Sequence, residues 1–447
     1  MAKIFFSGIG GSGMSAIASF MADKDNIIVG SDRSFDLNPD NRIYKILREK
    51  GITIVPQDGS GIDRSFDFAV FSTAVEDNQP EAVKAKQLNI KIKTRPQYLN
   101  EITLEYKTIA VAGTSGKSTT AGLLAFLMNR LGMNPNFIGG GRVKQFKTSV
   151  SLGNYLSGNS DTLVIEACES DGSIVYYHPL HSIISNLSLD HNFVEKTAVM
   201  FETLGSQTEE ILVIGGDDEN LCRCRFDKPV RFSIETDSEY QAKGIEYYPF
   251  STNFNLHGVP FKVSLPGRYN LYNALACISL LSEMGVSLRQ ISEILSDFSG
   301  IDRRFDICLN DERHMVIDDY AHNPHKIACL MESLKRINKD ICYIFQPHGY
   351  GPTRLMKEEY IKVFKENLRD RDKLILLPIY YAGGTSIKDI SSEDLCIEIK
   401  KAGKLVEVIN ERDSIFRRLS EWNNYVVFGA RDETLADFAR EIAMRLK

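Results

Sequence analysis

A chain of 447 residues exceeds one ordinary core, and at about 100 to 200 residues per domain three domains are expected. An apolar fraction of 43% and a charged fraction of 25% are those of a globular protein and exclude a disordered or fibrous class. With 53 Lys and Arg against 59 Asp and Glu, a net charge of -6 and no basic stripe, nucleic-acid binding is not expected; no secretion signal and no long apolar run are present, so the chain reads as a cytoplasmic protein without membrane contact.

In chain order, strand-like stretches at 4–7, 26–30, 52–56 and 68–71 alternate with helical ones, the first over about 12–22, which predicts a parallel sheet in residues 1–106. The turn Gly8-Ile-Gly10-Gly11-Ser12-Gly13 follows the first strand and opens the first helix, and Asp32 stands at the end of the next strand. Those glycines let a backbone approach a diphosphate at a helix N-terminus, and an acid at that distance can hold a ribose hydroxyl pair. Alone, this fingerprint favours a nicotinamide-dependent oxidoreductase, although a diphosphate-linked nucleotide of another kind would use the same helix N-terminus.

A second α/β domain is expected over 107–298. The buried strand 108–112 runs into Gly113-Thr114-Ser115-Gly116-Lys117-Ser118-Thr119 and then an apolar helix through Leu131, the order of a phosphate loop for ATP. Lys117 is placed to neutralise outer phosphates, and the Ser118 hydroxyl to meet Mg2+. The longer form of the motif has a further glycine where this chain has Val111. Strands expected at 162–166 and 182–186 deliver Glu166-Ala-Cys-Glu169-Ser-Asp171 and Asn186-Leu-Ser-Leu-Asp190-His191 to the carboxyl edge of the sheet, where ligands bind in such folds. Another strand is expected at 211–214, an antiparallel insertion between Phe226 and Leu265, and a helix from Asn270 to Met284 closed by Gly285.

A third α/β domain is expected over 299–447, with strands at 314–318, 341–346, 373–378 and 425–429. Arg303-Arg304 and Asp318-Asp319-Tyr-Ala-His322-Asn-Pro324 flank its start, arginine being the side chain whose fork suits phosphate. The charged run Glu366 to Lys373 reads as a solvated helix end. The eight cysteines lack zinc-site spacing and read as reduced, packed thiols, Cys222 and Cys224 included.

Taken together these motifs resemble the Mur ligase family of cell-wall synthesis over nearly the whole chain. The carriers are the two glycine turns, Glu166 to Asp171, Asn186 to His191, Gly267-Arg-Tyr-Asn270-Leu-Tyr-Asn273, Arg303-Arg304-Phe305, Asp319 to Pro324 and Phe345-Gln-Pro-His348. The resemblance implies an ATP- and Mg2+-dependent ligase of three domains. The first would hold a UDP-linked sugar acid, UDP-N-acetylmuramate, rather than NAD, and the second ATP. By position, Lys117, Glu166, His191 and Arg304 would act in catalysis, with Ser118, Glu166 and His191 as metal ligands. Asn270 would meet adenine, and Arg304 and Asp319 would reach the nucleotide. The γ-phosphoryl group would pass to the sugar carboxylate before an amine attacks the acyl phosphate.

His322, His348, Tyr350 and Arg354 are the candidates on the acceptor side. The alanine-adding branch of the family carries His-Arg-Tyr-x-Arg-Thr here, whereas this chain reads His348-Gly349-Tyr350-Gly351-Pro352-Thr353-Arg354. L-alanine is the acceptor the resemblance implies; another amino acid or a peptide stays open, as do oligomeric state and a third reading as a nucleotide-binding protein without turnover. Arg354 or Tyr380-Tyr-Ala-Gly-Gly384 could supply a different acceptor pocket.

Overall fold

The computed structural model describes residues 1–38, 40–189, 192–337, 339–381 and 387–447. Three mainly parallel sheets with flanking helices make it a three-domain α/β protein. The first sheet runs, edge to edge, Thr53–Ile54, Ile27–Ser31, Lys3–Ser7, Phe68–Phe71 and Lys91–Thr94, all parallel. The first helix, Ser12–Ala22, buries Ala16, Ile17 and Phe20 where the sequence places an apolar face.

The second sheet has eight strands in the order Tyr155–Leu156, Asn136–Ile138, Thr162–Glu166, Lys107–Ala112, His181–Ile184, Ile211–Gly215, Val230–Ser233 and Tyr240–Gln241. Only the outermost pair, at Tyr155, is antiparallel. The expected antiparallel insertion exists, as Lys243–Tyr247, Thr252–Leu256 and Val259–Val263. It begins later than read, because Val230–Ser233 adds to the main sheet in parallel. Four residues offer too few side chains for periodicity to separate those two fates.

Compact packing joins both sheets in one unit, residues 1–247 and 251–301. A single apolar cluster explains it: Ile4, Phe6 and Ile17 of the first sheet and its helix pack in the same core as Ala110, Ile138 and Leu163 of the second.

The other unit comprises 248–250 and 302–447. Its six strands run Asp306–Asn310, Met315–Asp319, Asn424–Gly429, Cys342–Gln346, Lys373–Leu376 and Leu405–Val408, the first antiparallel to its neighbour and the rest parallel. The run 366–373 is a solvated helix end only in part: the helix stops at Asn367 and Glu366, Asp370 and Arg371 are exposed, but Arg369 and Asp372 are not spent on solvent. Asp372 is 1% exposed and takes Arg369, whose guanidinium also donates to the carbonyls of Ile337 at 3.0 Å and Lys339 at 2.6 Å, locking the turn before a strand. All eight cysteines are free thiols; Cys277 and Cys342 are buried as expected, but Cys222 and Cys329 are exposed. Among the described residues no helix is long and apolar enough to cross a membrane.

Candidate active site

The strand Lys107–Ala112 ends in Gly113, and the helix Lys117–Arg130 starts after Gly116 with no side chain capping its first N–H groups. Those uncapped donors are what an anion meets at a helix N-terminus. Both glycines have positive φ, 136° and 87°, and a Cβ on Gly113 would stand 2.2 Å from the Ser185 hydroxyl. Asn186 fixes the loop from behind: its side-chain oxygen accepts from Ser115 N–H at 2.8 Å and its amide donates to the Ser115 carbonyl at 2.8 Å. Thr114 accepts from Ser188 N–H at 2.9 Å.

Lys117 folds back over this loop, donating to the Gly113 carbonyl at 2.6 Å and pairing with buried Glu169 at 2.9 Å. Ser118 donates to Glu166 at 2.9 Å, and the other Glu166 oxygen accepts from the backbone N–H of Gly140 at 2.6 Å and Gly141 at 3.1 Å. A hydroxyl and a carboxylate side by side, both hard oxygen donors, fit a magnesium ion. Asp190 and His191, expected beside them, lie outside the described residues. Thr119 is buried in the first turn. Asn270, expected to meet adenine, is 4% exposed, donates to the Pro266 carbonyl at 2.8 Å and accepts from Asn273. Asn273 in turn accepts from Thr120 at 3.1 Å, so the pair ties the helix Arg268–Glu283 to the phosphate-loop helix.

In the first sheet, Gly8 and Ile9 donate to the Ser31 carbonyl at 2.9 and 3.0 Å, and Gly10 donates to Asp32 at 2.9 Å. The second Asp32 oxygen accepts from Ser34 N–H at 2.9 Å. Asp32 therefore closes its own glycine turn. Ser12 and Gly13 begin a helix that no side chain caps, and a Cβ on Gly13 would stand 3.2 Å from Arg95, which pairs with Asp171 at 2.6 Å. The atoms nearest to a Cβ on Gly11 would be the Gly8 carbonyl oxygen at 3.5 Å and the Met14 side chain at 3.8 Å.

The two glycine turns converge. A Cβ on Gly140 would lie 3.7 Å from both Glu166 oxygens and 3.9 Å from the Ser12 hydroxyl. Asn154 bridges the same gap, donating to the Ser12 carbonyl at 2.7 Å. The first turn and the edge of the phosphate loop thus lie side by side. Lys117, Ser118 and Glu166 stand out in the sequence, and Glu169 and Asn186 lie in the same motifs; that Glu169 meets Lys117, Asn186 the Ser115 backbone and Arg95 the first turn follows only from the sheet register.

In the other unit, Asp319 accepts from the backbone N–H of Phe305 and Ala321, both at 2.7 Å, holding a turn in which Arg303 and Phe305 have φ of 57° and 48°. Burial raises the Asp319 pKa against the pull of Arg304. Asp318, also buried, is pushed up to about 7, chiefly by desolvation. Arg304 lies over the Tyr320 ring at 5.2 Å, while Arg303 is 7% exposed and donates to the carbonyls of Ala430 and Asp432. It is no surface arginine.

His322 bonds the Tyr320 carbonyl through Nδ1 at 2.9 Å and, desolvated, has its pKa lowered to about 4. Its ring is 6.5 Å from that of His348, which stacks on Tyr380 at 5.8 Å. Burial lowers the His348 pKa too. Gly349, at a position where the alanine-adding branch has arginine, takes φ 74° and donates to the Tyr380 carbonyl at 2.8 Å. Tyr350 meets Tyr381 edge to face at 5.6 Å. Arg354 is spent on Asp389 and on the Ile387 carbonyl at 2.9 Å. Residues 382–384 of the other expected acceptor segment lie outside the described residues.

An uncapped phosphate loop beside a hydroxyl-carboxylate pair, on a three-domain α/β frame, is an arrangement suited to the phosphates of a nucleotide and a metal ion. Sequence models of the family match residues 3–107 (Mur ligase family, catalytic domain), 111–281 (Mur ligase middle domain) and 303–442 (Mur ligase, glutamate ligase domain). The chain belongs to the Mur ligase family and is an ATP-dependent ligase that forms amide bonds. It is 31% identical over 433 residues to the UDP-N-acetylmuramate-L-alanine ligase of Caldicellulosiruptor saccharolyticus, covering 93% of this chain and 92% of that one. To the enzyme of the same name from Fusobacterium nucleatum it is 32% identical, covering 100% and 97%. The crystal structure of the UDP-N-acetylmuramate-alanine ligase of Thermotoga maritima superposes with a TM-score of 0.84 at 27% identity, covering 100% and 99%.

Proposed function

We propose that the chain joins the carboxylate of UDP-N-acetylmuramate to the amine of an amino acid, L-alanine foremost, while ATP is split to ADP and phosphate. The approach of Ser12 to Glu166 across Gly140 supports this most strongly, since it brings a nucleotide-sugar turn and a phosphate loop to one point. The backbone N–H groups after Gly11, with Arg95 beside Gly13, receive the UDP diphosphate. The uncapped N–H groups after Gly116 receive the outer phosphates of ATP, and Lys117 leaves Glu169 to spread the charge of the transferring phosphoryl group. Ser118 and Glu166 would hold magnesium, which when bound offsets the negative charge of those phosphates.

One oxygen of the sugar carboxylate attacks the γ-phosphorus as its bond to the ADP oxygen breaks. The acceptor amine then attacks the acyl carbon, phosphate leaves with the bonding pair, and the amine loses a proton. The adenine contact of Asn270, the metal role of His191 and the nucleotide roles of Arg304 and Asp319 belong to the same proposal, on their motif positions. These substrates place the reaction in the cytoplasm. Gly349 and Pro352, in place of arginines, favour a second reading in which another amino acid or a peptide is the acceptor.

Phosphate release should require ATP, UDP-N-acetylmuramate and one acceptor from a screen of amino acids and short peptides. Lys117→Ala should lower it by about 100-fold or more while the chain still folds, with an unfolding temperature reduced by the loss of the Lys117–Glu169 pair. Release that ignores the sugar nucleotide, or survives Lys117→Ala, would contradict the proposal.

A further inference from the structure

Resting on that reading, we infer that Arg431 is the guanidinium that receives the acceptor's carboxylate, in place of the arginines replaced by Gly349 and Pro352. The strand Asn424–Gly429 lies between Met315–Asp319 and Cys342–Gln346, and all three point their carboxyl ends the same way. The helix after the first neighbour packs through Ile327, Leu330 and Met331 on one face, in the cluster that holds Phe428. The helix after the central strand packs through Leu435, Phe438 and Ile442 on the other, in the cluster that holds Val427. Where successive connections leave a parallel sheet toward opposite faces, a crevice opens at the strand ends, and that is where ligands of such sheets bind.

Arg431 sits at this crevice, two residues beyond the strand, with an exposed side chain. Its charge acts on both His322 and His348 and helps hold both imidazoles neutral. Among the described residues its guanidinium has no hydrogen-bond or ion-pair partner, whereas neighbouring arginines are engaged. Arg354 is on Asp389, Arg412 on Asp432 and Gln346, and Arg304 on the Tyr320 ring.

The backbone that carries Arg431 is clamped on both sides. Buried Arg303 donates to the carbonyls of Ala430 at 3.0 Å and Asp432 at 3.1 Å, and Ala430 N–H donates to Gln346 at 2.9 Å. An unpaired fork on a fixed backbone, beside two neutral imidazoles, is the arrangement that takes a carboxylate bidentately at little ordering cost. It suits any α-amino acid or peptide acceptor, all of which carry that group.

The test compares wild type, Arg431→Ala and Arg431→Lys with the acceptor from the screen, L-alanine first, and with its carboxamide. In Arg431→Ala the KM of the acid should rise about 10- to 100-fold while the KM values of ATP and UDP-N-acetylmuramate stay within about twofold, and preference for acid over amide should vanish. Arg431→Lys, keeping charge without the fork, should fall between. An unchanged acceptor KM and an unchanged acid-over-amide preference in Arg431→Ala would overturn the inference, as would a uniform fall in kcat with every KM unaltered. Wild type that uses no amino acid or peptide would overturn the proposed function and the inference with it.

Discussion

Asp318 is a carboxyl 1% exposed, with Arg303 3.5 Å away and no hydrogen-bond donor among the described residues. Its pKa of about 7 in the fold against an ordinary 3.8 means that between those values the folded chain holds a proton the unfolded chain has lost. Stability from this group is therefore full below pH 3.8 and is lost as pH rises through about 7. His322 has the opposite sign: lowered from 6.5 to about 4, it loses stability as pH falls through that window. Comparing Asp318→Asn with wild type isolates the carboxyl. The difference in unfolding temperature should move in the variant's favour from about pH 4.5 to 7.5, and a difference constant with pH would contradict this assignment. None of this is legible in the sequence, where only the family resemblance sets Asp319 apart from Asp318. Strand alternation separates them: one faces Arg303, the other the backbone of Phe305 and Ala321.

At the scale of the element, the phosphate loop was legible because its chemistry is local: a strand, two glycines and a helix in direct succession. What holds it is not local. Asn273 and Asn186 arrive from more than 70 residues away, through helix packing and strand register. That explains why Gly116 tolerates nothing larger: a Cβ there would meet the Asn273 side-chain oxygen at 2.5 Å, at φ 87°. Gly116→Ala should lower stability by about 1–3 kcal/mol from backbone strain and abolish the rise in unfolding temperature that ATP produces. A normal ATP-induced rise in this variant would sink that account of the turn. Helices that open on a glycine turn and run on as apolar stretches, such as Ser12–Ala22 and Lys117–Arg130, matched their expected bounds within a residue or two. The edge strands Asp306–Asn310 and Leu405–Val408 escaped, because runs of five and four residues are too short for a pattern to distinguish them from loops.

Across the whole molecule, alternation of strand and helix reveals three α/β domains, and motif order reveals the ligase family. The shared core of the first two sheets was hidden, because apolar residues do not declare which apolar residues they will meet. That core matters for the proposed function, since it fixes Ser12 against Glu166 through Gly140 and Asn154. In the proposed reaction the sugar carboxylate attacks ATP at that point. The direct measurement is turnover with heavy oxygen in the carboxylate of UDP-N-acetylmuramate, followed by mass analysis of the products. An acyl phosphate route carries one labelled oxygen per turnover into the released phosphate; unlabelled phosphate alongside amide formation would contradict it.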